Sequence, residues 1–136
     1  MQVLPAISRL SAVSGDMRLL PLLLLPFYNP ILLAEQLATL DVISGGRTTA
    51  INALGYDAAA FTAFGTTLRT RVSRFVETFE IMRLLWERDN VTYKGRHYSF
   101  DAPISLNPKP VSQPPPMWVA GGAEPAIKRA AKMGDG

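Results

Sequence analysis

The sequence predicts an α/β protein with a parallel sheet, because strand-like and helix-like segments alternate three times along the chain. Residues 17–25 form an apolar run without polar alternation, as in a strand buried on both faces of a parallel sheet. Residues 47–54 and 117–120 are two further strand-like runs, and a helix-like segment follows each of the three. Such an alternation calls for right-handed crossovers with the helices outside the sheet. We therefore expect about three βα units.

The composition indicates one folded domain and excludes several kinds of chemistry. The chain has 136 residues, of which 48% are hydrophobic and 18% charged, enough for a buried core. A net charge of +3 from scattered Lys and Arg does not indicate a nucleic-acid-binding protein. The absence of cysteine and the single histidine exclude disulfides, a thiolate nucleophile, a zinc finger and a histidine metal cluster, so no metal site is expected.

The apolar run from Leu19 to Leu25 raises the question of a membrane or secretory segment. Pro21 breaks the run and Pro26 closes it, and it is far shorter than the about 20 residues that span a bilayer. Arg9 and Arg18 precede it as in a signal peptide, but no small-residue cleavage site follows. We expect a cytoplasmic protein without a membrane partner.

The first two elements are a short helix and a strand. Apolar residues spaced by three predict the helix over residues 5–13. The strand over residues 17–25 contains Pro21, and a proline removes a hydrogen-bond donor from a central strand. Either the strand bulges at Pro21 or it lies at the edge of the sheet in this chain.

The second helix has clear start and stop signals. Asn29 is a good N-cap, and Pro30 stands at the first helical position, where its missing N–H costs nothing. The helix is expected to run to Val42 or Ile43, with a left-handed stop at Gly45-Gly46. The strand over residues 47–54 comes next.

A loop that contains Phe61, Phe64 and Gly65 leads from this strand to the longest helix. Its apolar residues recur at spacings of three and four: Val72, Phe75, Val76, Phe79, Met82, Leu85 and Trp86. The opposite face is predicted to be solvated and carries Arg71, Arg74, Glu77, Arg83 and Glu87. Three arginines, Arg69, Arg71 and Arg74, are interpreted as solvated rather than as an anion site. Trp86, like Trp118 further on, is interpreted as core or connector packing.

A short hairpin on the surface is expected after the long helix, with strands over residues 91–93 and 97–100 around Lys94-Gly95-Arg96. His97 lies on this hairpin without a partner histidine or cysteine, so we interpret it as structural. Six prolines within residues 103–116 predict an extended connector. The remaining elements are a strand over 117–120, a turn at Gly121-Gly122 and a helix over 125–133.

The motifs in this order closely resemble the luciferase-like monooxygenase family, the flavin enzymes of the bacterial-luciferase type. The resemblance is carried first by the segment from Asn29 to Arg47, NPILLAEQLATLDVISGGR. Further motifs keep the family's order: Leu54-Gly55-Tyr56 with Phe61 and Phe64-Gly65, Arg74-Phe75 through Trp86, the hairpin from Tyr93 to Phe100, Asn107 to Val111, and Pro115 to Gly122. The resemblance extends from about Pro5 to Gly136.

The resemblance implies a (β/α)₈ barrel that holds FMN at the carboxyl ends of its strands. Such barrels need about 250 residues, so residues 1–136 are expected to form a single incomplete luciferase-like barrel domain, with strands three to five and a surface hairpin insertion. Reduced FMN and oxygen would act on a small organic substrate, and a flavin reductase is a possible partner. A full-length protein of this family is expected to be a homo-oligomer. Catalytic acids and bases are expected on strands that this chain lacks.

Two alternatives stay open beside this function. A sister branch of the family uses a deazaflavin coenzyme in place of FMN, so the chain would belong to a deazaflavin-dependent oxidoreductase. The other alternative is a non-catalytic remnant, because three strands of an eight-stranded barrel leave two open edges and exposed leucines.

The family's third strand ends against the flavin ring, and here that position falls at Leu24 and Leu25. These leucines can form an apolar wall, but for the side chains we favour the interpretation as barrel core, because such apolar runs are ordinary strands of parallel sheets. The end of the fourth strand is the second candidate. Gly55 permits a close approach, Asn52 can hydrogen bond a ring edge, and Tyr56 follows. Ile51 and Ala53 stand where the family usually has glycines, and a plain structural turn is the alternative.

The third candidate is the turn Gly121-Gly122-Ala123, which opens the last helix. Free N–H groups and the helix dipole favour a phosphate there, and the resemblance assigns the turn to the FMN phosphate pocket. The family usually has a hydroxyl residue where Ala123 stands, and Glu124 adds a negative charge, so both departures weaken the predicted role. Two glycines before a helix are also common in other α/β folds.

Overall fold

The computed structural model describes residues 2–136 as an α/β structure with three parallel strands, confirming the predicted fold class. A separate two-stranded antiparallel hairpin lies between the long helix and the last parallel strand. The helices and strands are α1 (Val3–Ser11), β1 (Leu22–Leu24), α2 (Pro30–Ser44), β2 (Ala50–Ala53), α3 (Ala58–Ala63), α4 (Arg71–Glu87), β3 (Val91–Lys94), β4 (Ser99–Ile104), β5 (Met117–Val119) and α5 (Glu124–Met133). Single 3₁₀ turns lie at Leu25–Phe27 and Leu68–Thr70.

The parallel sheet has the order β1-β2-β5, so β1 lies at its edge. The first strand is shorter than predicted and comprises Leu22–Leu24, with one isolated bridge from Leu19 to Thr48. Pro21 explains the shortening, since it has no N–H to donate. Its carbonyl still accepts a hydrogen bond from the Ile51 N–H at 2.9 Å. Of the two alternatives for Pro21, the edge position is therefore correct.

The predicted caps of α2 are confirmed in atomic detail. The Asn29 side chain accepts hydrogen bonds from the N–H groups of Ile31 and Leu32, at 3.0 and 3.2 Å. Gly45 ends the helix in the left-handed conformation with φ of 67°. Because the cap residues bind their own helix, they could be recognised without knowing the tertiary structure.

The core lies between the buried face of the sheet and helices α2 and α4. Leu23 of β1 and Val119 of β5 point into it, together with the apolar stripes of the two helices. Trp86 is 2% exposed there, and its ring N–H donates to the Ala34 carbonyl at 3.0 Å. The interpretation of Trp118 as packed is wrong, because 42% of it is exposed on the opposite face of the sheet. Leu22, in the same face, is 55% exposed.

Several local predictions are corrected by tertiary contacts. The predicted loop after β2 contains α3, capped by Asp57, whose carboxylate accepts from the Ala59 N–H at 3.0 Å. Glu77 and Arg74 were expected on a solvated helix face, yet Glu77 is 9% exposed and Arg74 is half-buried, because the hairpin packs on this side of α4. The hairpin is longer than predicted and takes in Pro103, at the start of the expected connector.

The sequence predicts that both outer edges of the parallel sheet are open. Among the described residues, only one of them is. At β5, the Asp135 N–H donates to the Met117 carbonyl at 2.9 Å, and the Val119 N–H donates to the Gly136 carbonyl at 3.0 Å. The last two residues of the chain thus pair with β5 and cover its backbone. The edge of β1 has no such partner within residues 2–136.

Candidate functional site

The carboxyl ends of the three parallel strands bring the predicted site segments to one edge of the sheet. The register pairs Leu24 with Ala53, and Asn52 with Val119. The chain therefore leaves β1, β2 and β5 side by side, at Leu25, Leu54 and Ala120. Each exit leads directly into one of the three candidate segments. The parallel topology thus places the three segments side by side.

Two adjoining cavities open at the ends of β1 and β2, and they share Leu24, Phe27 and Ala60. The larger has a volume of about 420 Å³ and is lined mainly by apolar side chains. The smaller has a volume of about 230 Å³. Further lining residues of the larger one are Val3, Leu22, Tyr28 and Phe64, and of the smaller one Gly55, Tyr56 and Asp57. An apolar hollow of this kind, with few polar groups, is typical of small-molecule sites.

Leu24 and Leu25 are adjacent in sequence but take different positions. Leu24 is half-buried and lines both cavities, so it can form the predicted apolar wall. Leu25 is fully buried in the core cluster and lines neither cavity. Its side chain is therefore part of the core rather than of a cofactor wall, and only its backbone reaches the edge of the sheet.

Gly55 sits where the chain needs both a positive φ and a close approach. Its φ is 77°, and an added Cβ would lie 3.4 Å from the Phe61 ring and 3.8 Å from Leu24 Cδ1. Any larger side chain would therefore occupy the floor of the smaller cavity. Tyr56 follows with 91% of its surface exposed, at the mouth of this cavity.

Asn52 is not at the cavity, which corrects its predicted role as a ring-edge partner. Its position in the register places it on the buried face of the sheet beside Leu23 and Val119. Its side-chain amide donates to the carbonyls of Ala50 and Trp118, both at 3.1 Å. The amide oxygen has no partner among the described residues. Successive side chains of a strand point to opposite faces of the sheet, and Asn52 is on the face that packs against the helices.

The turn before α5 is exposed, and the backbone N–H groups of Gly121, Gly122 and Ala123 donate to no acceptor among the described residues, whereas the Ala123 carbonyl accepts from Ala126 and Ile127. No side chain caps the helix at Ala123, and no atom would lie within 4 Å of a Cβ added at Gly122. Gly121 is required for packing, since its Cβ would collide with that of Ala126. The Glu124 carboxylate forms an ion pair with Lys128 Nζ at 2.6 Å, but both side chains are exposed, so the negative charge beside the turn remains.

An aromatic cluster at the larger cavity escaped the sequence analysis. The rings of Phe27 and Phe64 are stacked, with centroids 4.7 Å apart, and Phe61 meets Phe27 edge-on at 4.6 Å. Phe64 is 63% exposed, whereas Phe61 is fully buried. The position of Phe27 two residues after a buried strand end was the signal that could have identified it.

The described residues contain no group of three or more His, Asp or Glu side chains that could hold a metal ion. Within residues 2–136, no helix is both long enough and apolar enough to cross a membrane.

Comparisons with known proteins agree with this geometry. The chain is 36% identical over 114 residues to an F420-dependent glucose-6-phosphate dehydrogenase of Kineococcus radiotolerans, covering 80% of this chain and 32% of that protein. It is 31% identical over 129 residues to an FMNH₂-dependent dimethylsulfone monooxygenase of Pseudomonas fluorescens, covering 93% of this chain and 35% of that protein. The solved structure of the monooxygenase RslO1 from Streptomyces bottropensis superposes with a TM-score of 0.88 at 30% identity, covering 96% of this chain and 40% of that one.

These relatives are oxidoreductases, and their names include both cofactors expected for the family, reduced FMN and a deazaflavin. The chain spans about a third of the length of the curated relatives it matches. The sequence also matches the family profile described as luciferase-like monooxygenase over residues 4–136. The chain therefore belongs to the luciferase-like monooxygenase family.

Proposed function

We propose that this chain forms three consecutive βα units, strands three to five, of a (β/α)₈ barrel in a flavin-dependent oxidoreductase. The observation that carries the proposal is the common edge at which three parallel strands end, with an apolar cavity at β1 and β2 and free backbone N–H groups before α5. Ligands of α/β barrels bind at this end of the strands. The exposed face of the sheet, with Leu22 and Trp118, would line the interior of such a barrel.

The residues at this edge fit the two halves of FMN. Leu24 and Gly55 line the smaller cavity, where the Leu24 side chain offers an apolar wall and Gly55 adds no side chain, so a planar ring could approach the backbone there. Gly122 and Ala123 precede α5, and their backbone N–H groups, which have no acceptor among the described residues, would bind the phosphate. The ends of β1 and β5 are two strand spacings apart, about 10 Å. A ligand with a ring and a phosphate tail can therefore reach both.

Reduced FMN, when bound, supplies the electrons with which oxygen is activated to oxygenate a small organic substrate. The chain's own residues orient the ring and keep water from it, since the cavity walls formed by Leu24 and Phe27 are apolar. No acid or base for the reaction is assigned to this chain. A flavin reductase as electron donor, a cytoplasmic location and a homo-oligomeric full-length protein belong to the same proposal.

The second candidate is a deazaflavin-dependent oxidoreductase of the same fold. It is favoured by the F420-dependent dehydrogenase among the relatives, at 36% identity. The same apolar edge and the same helix start would serve the deazaflavin ring and its phosphate. A third candidate, a non-catalytic remnant, is favoured by the exposed apolar face of the sheet.

Equilibrium titration distinguishes these candidates. The purified chain is added to FMN and, separately, to F420, and the quenching of cofactor fluorescence is followed. Saturable quenching of FMN at micromolar protein, with weaker quenching of F420, supports the main proposal. The reverse preference supports the deazaflavin enzyme. If a soluble, folded chain quenches neither cofactor, the result supports the third candidate, a remnant that does not contain the binding site.

A further inference from the structure

The hairpin of β3 and β4 is anchored to α4 by a buried carboxylate. Glu77 accepts hydrogen bonds from three successive backbone N–H groups, of Arg96 at 2.9 Å, His97 at 2.8 Å and Tyr98 at 3.2 Å. A Cβ at Gly95 would lie 2.5 Å from a Glu77 carboxylate oxygen, so the turn is built around this contact. The hairpin is therefore held in one position rather than loosely attached to the surface.

Tyr98, at the end of this turn, reaches across α4 to the segment that follows β1. Its hydroxyl donates to the Tyr28 carbonyl at 3.3 Å and accepts from Arg74 Nη2 at 3.2 Å. The Arg74 guanidinium also lies over the Tyr98 ring, 5.2 Å from its centroid. Arg74 Nε donates in turn to the Pro26 carbonyl at 3.3 Å.

The two carbonyls held in this way stand on either side of Phe27. Pro26 precedes it, Tyr28 follows it, and each carbonyl accepts from a different side chain, Arg74 or Tyr98. Phe27 forms a wall of both cavities at the carboxyl end of β1. The backbone on both sides of this aromatic ring is thus fixed from outside the sheet.

We propose that Arg74 and Tyr98 are positioning residues that fix Phe27 as the aromatic wall of the cofactor pocket. The nature of the cofactor rests on the proposed function, whereas the link between the hairpin and Phe27 does not. The hairpin then acts on the pocket without touching its ligand, through Tyr98 and the carbonyls beside Phe27.

The test compares Tyr98→Phe with Tyr93→Phe. Both changes remove one hydroxyl from the same hairpin, but the Tyr93 hydroxyl donates to Glu80 on α4 at 3.0 Å rather than to the segment after β1. Hydrogen–deuterium exchange is measured without cofactor on the peptide that contains the Tyr28 N–H, which donates to the Leu25 carbonyl at 3.1 Å. Exchange there should become about fivefold faster in Tyr98→Phe, the factor that corresponds to one net hydrogen bond. Tyr93→Phe should leave it unchanged.

Affinity for FMN or F420 is measured on the same variants, together with the thermal midpoint. Tyr98→Phe should weaken binding about fivefold while unfolding at the temperature of Tyr93→Phe, because the hydroxyl acts on the loop rather than on the core. Equal exchange rates in the two variants would overturn the positioning role. If the wild-type chain binds neither cofactor, the proposed function fails, and the exchange rates still decide whether Tyr98 holds Phe27.

Discussion

Asp41, a fully buried residue near the end of α2, accepts a hydrogen bond from the backbone N–H of Ser112 at 2.8 Å, 71 residues further along the chain. Its other carboxylate oxygen accepts from the Thr48 N–H at 3.4 Å. One buried side chain thereby links the helix, the entry to β2 and the proline-rich connector that leads to β5. The relative positions of β2 and β5, and so of the site segments at their ends, depend on it.

Replacing Asp41 by alanine should therefore be strongly destabilising. The change leaves the buried N–H of Thr48 and the half-buried N–H of Ser112 without their acceptor, at a cost of about 2–4 kcal/mol for the two together. Urea unfolding measures the loss. Glu35→Ala, an exposed acidic position on the same helix, is the control and should change stability by less than about 0.5 kcal/mol. Equal stabilities for the two variants would show that the buried carboxylate does not hold the connector.

Gly55→Ala should lower stability and cofactor affinity together. The φ of 77° disfavours any residue with a Cβ by about 1–2 kcal/mol, and the new methyl group would stand in the smaller cavity. Gly15→Ala is the matched control, because Gly15 has a φ of 54° with no atom within 4 Å of an added Cβ. Both variants should lose similar stability in thermal unfolding, but only Gly55→Ala should bind flavin more weakly. A similar affinity loss in both would point to a general effect of destabilisation.

Gly122→Val should weaken binding of the ligand's phosphate without weakening binding of its ring. An added side chain at Gly122 meets open space, so the fold should tolerate it, while the valine would cover the N–H groups at the start of α5. Fluorescence titration should show weaker binding of FMN and unchanged binding of riboflavin, which has no phosphate. Equal losses for both ligands, or none for FMN, would remove this turn from the site.

Low pH should destabilise the packing of the end of the chain, because it protonates Asp135. Burial opposes its ionisation, but hydrogen bonds from Arg83 and the Met117 N–H, and the charge of Arg83, hold the pKa of Asp135 below its usual range. A lowered pKa in the folded state gives stability that is present at neutral pH and lost as the pH falls below about 4. Thermal midpoints between neutral pH and acid should therefore fall less steeply in Asp135→Asn than in the wild type. Parallel pH profiles would contradict the role of this carboxylate.

Features that depend on neighbouring residues could be predicted from the sequence. Asn29 and Gly45 cap α2 as expected, because each acts on its own helix. The three parallel strands followed from their apolar runs, and parallel topology alone then placed Leu24, Gly55 and Gly121 along one edge.

Features that depend on contacts between distant residues could not be predicted from the sequence. Glu77 follows the polar face of its helix in sequence, and only the hairpin folded onto α4 turns that position into a buried one. Asn52 was assigned to the wrong face, since the alternation along β2 is set by its register with β1 and β5. The stacking of Phe27 on Phe64 likewise joins two residues that are 37 positions apart in the sequence.

A flavin bound at the carboxyl edge of the sheet should be visible at the backbone amides of that edge. The most direct test is a titration of the nitrogen-labelled chain with FMN, followed by proton–nitrogen correlation spectra. We expect the amide signals of Leu24, Gly55, Gly122 and Ala123 to shift together and saturably, while that of the exposed Thr92 in β3 does not. Saturable shifts confined to other residues, or none in a folded chain, would contradict it.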